Sequence, residues 1–132
     1  MTQSIPPDAV PVALQRVLTA QYSGLAEPRR MVIRDAAAWG AFWAEATGPH
    51  AAPAAPDVDF TRGMVLVAAM GTRPTGGYGI SIESAYRGRG GLLVAVKHVS
   101  PAPGRMATQA LTAPLDVVRV AQTDDQVTFV DM

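Results

Sequence analysis

The strongest limit on the fold is a proline- and glycine-rich segment near the middle of the chain, residues 71–80. It follows seven apolar residues at 64–70 and precedes an alternating pattern in which Tyr78, Ile80 and Ile82 share one face. A continuous apolar run is typical of a strand buried on both faces, whereas alternation is typical of a half-buried strand. The pattern therefore predicts two strands joined by a turn.

The turn residues suit this arrangement. Pro74 presets the backbone for the second position of a type I turn, Thr75 tolerates the third, and Gly76 is favoured at the fourth. Gly77 and Gly79 leave backbone open to the close approach of another chain. The segment is either a hairpin turn selected for folding or a preorganised loop that enters a partner's groove at little entropic cost. The residues alone favour the hairpin.

Further β patterns follow this segment and precede it. We expect strands at the following positions: 31–33, 64–70, 78–86, 92–99, 115–120 and 127–130. Residues 88–91 form a tight hairpin loop, and residues 106–112 a short or irregular strand. Residues 12–21 fit a helix or a strand, with the strand favoured. The expected topology is an antiparallel meander with 64–70 as its central strand.

One helix is predicted at residues 36–47. Asp35 is a good N-cap, and Trp39, Phe42 and Trp43 recur at helical spacing. Gly48 followed by proline is a typical stop. We expect the aromatic face of this helix to cover one side of the central strand.

These elements predict an α+β fold with a mostly antiparallel sheet, or a partly closed barrel or sandwich, and one helix packed on it. A chain of 132 residues is large enough for one domain with its own core. Residues 1–11 are polar and contain three prolines, so we expect a disordered arm followed by a single domain at 12–132.

Composition narrows the expected partners and location. Eleven acidic and eleven basic residues balance to zero net charge, which argues against nucleic-acid binding. The absence of cysteine excludes disulfides and thiolate metal sites. No apolar run reaches membrane-spanning length, and the start lacks the features of a signal peptide, so we expect a soluble chain without an export signal.

The sequence contains only weak candidates for a catalytic or metal-binding site. The candidate residues are His50 with Asp57 and Asp59 for a metal, and His98 with Ser81 or Ser100 and Asp116 for a hydrolytic triad. Neither histidine has ligand-type spacing to the acids, and neither serine lies in a Gly-x-Ser-x-Gly turn. No glycine-rich loop opens a helix, as a phosphate site requires. We therefore expect no catalytic residue, metal or cofactor, and a protein that is not an enzyme.

A series of motifs in fixed order resembles a known family. The motifs are Val-Ile-Arg-Asp at 32–35, Trp-x-x-Phe-Trp ending at 43, Val-Asp-Phe at 58–60, Pro-Thr-Gly-Gly-Tyr at 74–78, Leu-Leu-Val-Ala-Val at 92–96, Ser-Pro-Ala-Pro-Gly at 100–104, Met-Ala-Thr-Gln-Ala-Leu-Thr-Ala-Pro at 106–114 and Val-Val-Arg-Val at 117–120. Together they resemble the PrcB C-terminal domain family over residues 22–131. The resemblance implies a non-catalytic bacterial domain, often exported, that associates with a protease and supports its assembly or stability.

A looser likeness is to chagasin-type inhibitors of cysteine proteases, which carry an Asn-Pro-Thr-Thr-Gly-Tyr loop. Pro74, Thr75, Gly77 and Tyr78 match that loop, and Arg73 and Gly76 depart from it. This likeness implies an alternative function, inhibition of a protease by the loop at 73–78.

The expected partner-binding surface combines two proline-stiffened loops, residues 73–78 and residues 101–109. Its predicted residues are Arg73, Pro74, Thr75, Gly76, Gly77, Tyr78, Met106, Thr108 and Gln109. Gln109 can instead satisfy backbone groups of the neighbouring loop, and this structural role is favoured. The expected partner is a protein, with a protease first among the candidates.

Overall fold

The computed structural model describes residues 8–48, 54–104 and 109–132. Its elements are β1 (Val10–Val12), β2 (Gln15–Ala20), β3 (Pro28–Ile33), α1 (Ala36–Thr47), β4 (Gly63–Met70), β5 (Gly79–Gly88), β6 (Gly91–Val99), β7 (Leu115–Ala121) and β8 (Val127–Asp131). Over these residues the strands form two four-stranded sheets: sheet 1 in the order β1-β5-β6-β8 and sheet 2 in the order β2-β7-β4-β3. The predicted α+β class with a sandwich of sheets is confirmed.

Strand β4 is the centre of the molecule, as its apolar run predicts. Every one of its residues is buried. Met64 and Leu66 point into the core between the two sheets, where they meet Ile82 and Val94 of sheet 1. The alternate residues of β4 point to the other side and pack against the helix. A strand covered on both faces has no polar side to present, which explains the unbroken apolar run.

Helix α1 covers the outer face of sheet 2. Asp35 caps its start by accepting a hydrogen bond of 2.8 Å from the backbone N–H of Ala38, and Gly48 ends it with a φ of +63°. Trp39 and Phe42 are buried, with ring centroids 5.9 Å apart. The predicted bounds 36–47 and the inward aromatic face are confirmed. Within the three described ranges, no helix has both the length and the apolar character needed to cross a bilayer.

The predicted meander is wrong in two places. Strands β4 and β5 are not a hairpin, because β4 pairs with β3 and β7 in sheet 2 whereas β5 pairs with β1 and β6 in sheet 1. Strand β8 pairs with β6 in parallel rather than in an antiparallel hairpin. The physical reason is burial: the doubly apolar β4 needs a partner strand on each side and a layer on each face. The β5–β6 hairpin is confirmed, with Gly88 opposite Gly91.

The first strand begins inside the predicted disordered arm. Val10–Val12 pairs antiparallel with residues 85–87 of β5, so residues 10 and 11 belong to the sheet. Pro11 is tolerated there because β1 is an edge strand. Residues 1–7 lie outside the described ranges. Of the two alternatives for residues 12–21, the strand is correct, and it forms β2.

A buried carboxylate connects the two sheets. Asp116 on β7 is fully buried and accepts hydrogen bonds of 2.9 and 2.8 Å from Nε and Nη2 of Arg16 on β2. It also accepts a hydrogen bond of 2.7 Å from the backbone N–H of Ile82 on β5. The hydrogen bond to Asp116 raises the pKa of Arg16. Because Asp116 is engaged in this way, the triad considered from the sequence is not formed.

Candidate functional site

The loop between β4 and β5 crosses from sheet 2 to sheet 1 and is fastened to the segment before β7. Arg73 and Thr112 form an isolated antiparallel bridge, with N–H···O distances of 2.7 and 2.9 Å. The Thr112 hydroxyl is buried and donates a further bond of 2.8 Å to the carbonyl of Thr75. Three hydrogen bonds therefore fix the loop at 73–75.

Two predicted partner-binding residues serve the loop itself. The guanidinium of Arg73 lies 5.6 Å from the ring centroid of Tyr78. It also donates a hydrogen bond of 3.1 Å to the carbonyl of Met70. Tyr78 is half-buried and packs against the core between the sheets. A cation over an aromatic face stabilises the fold locally. Both side chains therefore have structural partners within the domain.

The remaining residues of the loop differ in exposure. Pro74 and Gly77 are exposed, Thr75 is half-buried and Gly76 is buried. Gly77 has a φ of +89°, and a Cβ there would lie 3.0 Å from Cγ of Pro101. This close approach requires glycine and places the loop at 73–78 beside the start of the second predicted loop.

The second loop is described only in part. Met106 and Thr108 lie outside the described residues. Gln109 is exposed, and Thr112 is the end of the bridge to Arg73. The predicted strand at 106–112 is therefore represented by a single bridge residue within the described part of the chain.

An apolar groove adjoins these loops, and sequence reasoning missed it. It has a volume of about 620 Å³ and lies between the C-terminal half of α1, strand β2 and the start of β7. The lining residues within the described part of the chain are all uncharged: Leu18, Ala20, Tyr22, Ser23, Gly24, Trp43, Ala46, Thr47, Gly48, Thr72, Leu111, Thr112, Ala113 and Leu115. Thr72 and Thr112 connect the groove with the fastened loop.

Two large apolar side chains on the groove stay in contact with water. Tyr22 is 64 % exposed and Leu111 is 68 % exposed. The relative widths of the helix and the sheet explain why the groove is present. A helix is about 10 Å wide and strands are about 4.8 Å apart, so one helix covers only part of a four-stranded sheet. The apolar face of β2 and β7 beyond α1 follows from that mismatch.

A second polar cluster lies where β3 and β8 meet. The side chain of Asp131 accepts a hydrogen bond of 3.0 Å from Nη2 of Arg30, and its Oδ1 lies 2.9 Å from Nε2 of His98. The same Nε2 lies 3.0 Å from Nη2 of Arg30. The hydrogen bond to His98, followed by that to Arg30, lowers the pKa of Asp131.

This cluster is exposed rather than enclosed in a cavity. His98 is exposed at the end of β6. The hydroxyl of Ser81 donates a hydrogen bond of 2.7 Å to the carboxylate of Glu83 rather than to a histidine. Among the described residues no group of three acids or histidines is placed to hold a metal ion. His50 is outside the described residues, and Asp59 bonds the hydroxyl of Thr61 at 2.6 Å.

Comparison with known proteins identifies one family. The family model described as PrcB C-terminal matches residues 64–121. Neither the search of curated proteins nor the search of solved structures gave a match. The matched range runs from β4 to β7 and contains both ends of the Arg73–Thr112 bridge. Residues 64–121 of this chain therefore match the PrcB C-terminal family.

Proposed function

We propose that this chain is a non-catalytic protein-binding domain that associates with a protease and supports its assembly or stability. One observation carries the proposal: the Arg73–Thr112 bridge places the loop at 73–78 directly beside the apolar groove. Exposed apolar residues beside a rigid loop are typical of a protein interface. The choice of a protease as partner rests on what the resemblance to the PrcB C-terminal family implies, and the family match over residues 64–121 supports that resemblance.

Preorganisation supports the loop as part of the contact surface. The three hydrogen bonds at Arg73, Thr75 and Thr112 hold the loop before any partner arrives. A loop that is already ordered loses little conformational entropy on binding. Pro74 is an exposed residue of this loop and is available to contact a partner.

The binding experiment uses the exposed residue Pro74, because the side chains of Arg73 and Tyr78 also support the fold. Immobilised protein is incubated with lysate of the native host, and the retained proteins are identified by mass spectrometry. We expect a protease to be retained by wild type and lost with Pro74→Asp. The matched control is Pro56→Asp, since Pro56 is also exposed and lies in the connection before β4. Retention of the same proteins by all three baits, or of no protease, would overturn the proposal.

The alternative function is inhibition of a cysteine protease by the loop at 73–78. The specific support is that the loop is anchored on both sides, by Thr112 and beside Pro101. Under this alternative, purified protein slows peptide hydrolysis by a papain-type protease. Replacement of residues 74–76 by alanine abolishes the inhibition. An unchanged rate with excess wild-type protein would reject it.

A further inference from the structure

The groove and its neighbouring strand have the features of a site for an added strand. We propose that a partner binds through an extended, uncharged peptide segment that pairs with the free edge of β2 and places alternate apolar side chains in the groove. This inference rests on the proposed protein-binding function. It names the conformation and the chemistry of the bound segment.

The edge of β2 is open. Within the described ranges, β2 is the outermost strand of sheet 2 and pairs only with β7. Thr19 in the second half of the strand is exposed, as is Tyr22 just after it. An unpaired edge presents a row of backbone donors and acceptors, which an extended chain satisfies.

The geometry of β2 limits where a peptide pairs. The register with β7 shifts between Arg16 and Leu18, and the longer regular stretch runs from Leu18 to Ala20. A bulge twists a strand away from regular pairing. Leu18 and Ala20 line the groove, and Thr19 between them does not. A peptide paired here therefore directs every second side chain to the groove side.

The lining selects against charge. None of the described lining residues is ionisable at neutral pH, and the hydroxyls of Ser23 and Thr47 have partners within the chain. The hydroxyl of Ser23 donates a hydrogen bond of 2.9 Å to the carbonyl of Ala113. The hydroxyl of Thr47 donates one of 2.8 Å to the carbonyl of Trp43. A charged side chain placed in this groove would lose water without gaining a counter-charge. The complementary occupant is apolar and uncharged at alternate positions.

The size and the rim fit such a segment. A volume of about 620 Å³ is within the usual range for sites that enclose small ligands or several side chains. Tyr22 and Leu111 are exposed on the rim and become covered when the groove is filled. Exposed aromatic and large aliphatic residues of this kind are common anchors at interfaces.

The test uses a defined probe, the capped peptide acetyl-Thr-Val-Thr-Leu-Thr-Val-amide, titrated into ¹⁵N-labelled protein. We expect the amide signals of residues 18–20 and 111–113 to shift with saturation. Two further peptides carry N-methyl groups on alternate amides, one in each register. Because N-methylation removes backbone donors and keeps the side chains, we expect one of the two to bind at least tenfold more weakly.

The matched protein variants are Leu111→Lys on the groove rim and Val10→Lys on β1 of the other sheet. Both residues are large, apolar and exposed, at 68 % and 61 %. We expect Leu111→Lys to weaken peptide binding at least tenfold and Val10→Lys to leave it unchanged. Strand addition would be overturned if both N-methylated peptides bound as tightly as the parent peptide. It would also be overturned if 1-octanol bound as tightly as the peptide and shifted the same signals. Either result would indicate an apolar pocket or a helix site.

The two proposals fail separately. If the lysate experiment retains a protease through Pro74 and the peptide does not shift the β2 amides, strand addition is wrong and the protein-binding function stands. If the peptide binds at β2 with the expected N-methyl effect and no protease is retained, strand addition stands and the protease association is wrong.

Discussion

Arg73 and Thr112 exchange two backbone hydrogen bonds, of 2.7 and 2.9 Å, although they belong to loops far apart in the chain. This bridge places the loop after β4 next to Leu111, which lies on the rim of the apolar groove. The bridge thus turns two connecting segments into one continuous surface.

Substitution of the exposed residue Pro74 is expected to affect binding strongly and stability only slightly. Pro74→Asp alters a residue that is exposed on the surface. Because loss of a compatible proline gives the unfolded chain more conformational freedom, we expect a cost of about 0.4–1 kcal/mol in the free energy of unfolding. Urea denaturation checks this expectation, and Tyr78→Ala provides the contrast. Since Tyr78 packs on the core, its truncation should cost about 1–3 kcal/mol. An equal loss of stability in the two variants would contradict this division.

Two glycine substitutions are expected to change stability in opposite directions. Gly77→Ala introduces a Cβ where φ is +89° and Pro101 is 3.0 Å away, so it should destabilise the protein by about 1–2 kcal/mol. Gly40→Ala lies within α1 with nothing within 4 Å of the new Cβ, and it should stabilise by about 0.5–1 kcal/mol. Thermal and urea unfolding of both variants give the signs. The same sign for both would contradict the account of the loop.

The buried carboxylate between the sheets is expected to be needed for stability. Asp116→Asn keeps the shape of the side chain but removes the charge that receives the Arg16 guanidinium. Because Arg16 remains 44 % exposed, water compensates part of the loss, and we expect a cost of about 1–3 kcal/mol. Denaturant unfolding measures it, with the exposed Asp124→Asn as control. A cost below about 0.5 kcal/mol, equal to that of the control, would contradict the role of Asp116.

The Asp131 cluster is expected to contribute to the pH dependence of stability. His98 and Arg30 lower the folded-state pKa of Asp131 below its unfolded value. The stability from this group is therefore present above the unfolded pKa, near 4, and is lost as the pH falls through the folded pKa. The side chain is 66 % exposed, so the contribution should be below about 1 kcal/mol.

Unfolding of wild type and Asp131→Asn at pH 6 and at low pH measures this contribution. We expect the variant to lose less stability than wild type on acidification. Part of the loss should persist, because the pKa values of Glu45 and Asp59 are also lowered, by Arg29 and by Thr61. Equal losses in wild type and variant would exclude a role for Asp131.

Local and strongly periodic features were predictable from the sequence. Asp35, the aromatic spacing and Gly48 gave the helix bounds, because a cap and a stop act within a few residues. The unbroken apolar run gave the central position of β4, because it is covered on both faces. The hairpin at 88–91 followed from its glycines.

The partition of strands into two sheets was not predictable, since it depends on pairing between distant segments. Nothing near β4 or β5 in sequence shows that the segment between them crosses between sheets. The parallel pairing of β8 with β6 likewise arises because β7 occupies the other sheet. The groove depends on how far α1 extends over β2 and β7, which is a tertiary property. Tyr22 and Leu111 were therefore not recognised as site residues.

The most direct measurement for the central claim is the affinity of the purified protein for a protease recovered in the lysate experiment. Isothermal calorimetry would compare wild type, Pro74→Asp, Leu111→Lys and the control Pro56→Asp. We predict at least a tenfold loss of affinity for the first two variants and wild-type affinity for the control. Wild-type affinity in all four proteins, or no measurable binding of wild type to a protease, would contradict the claim that this surface associates with a protease.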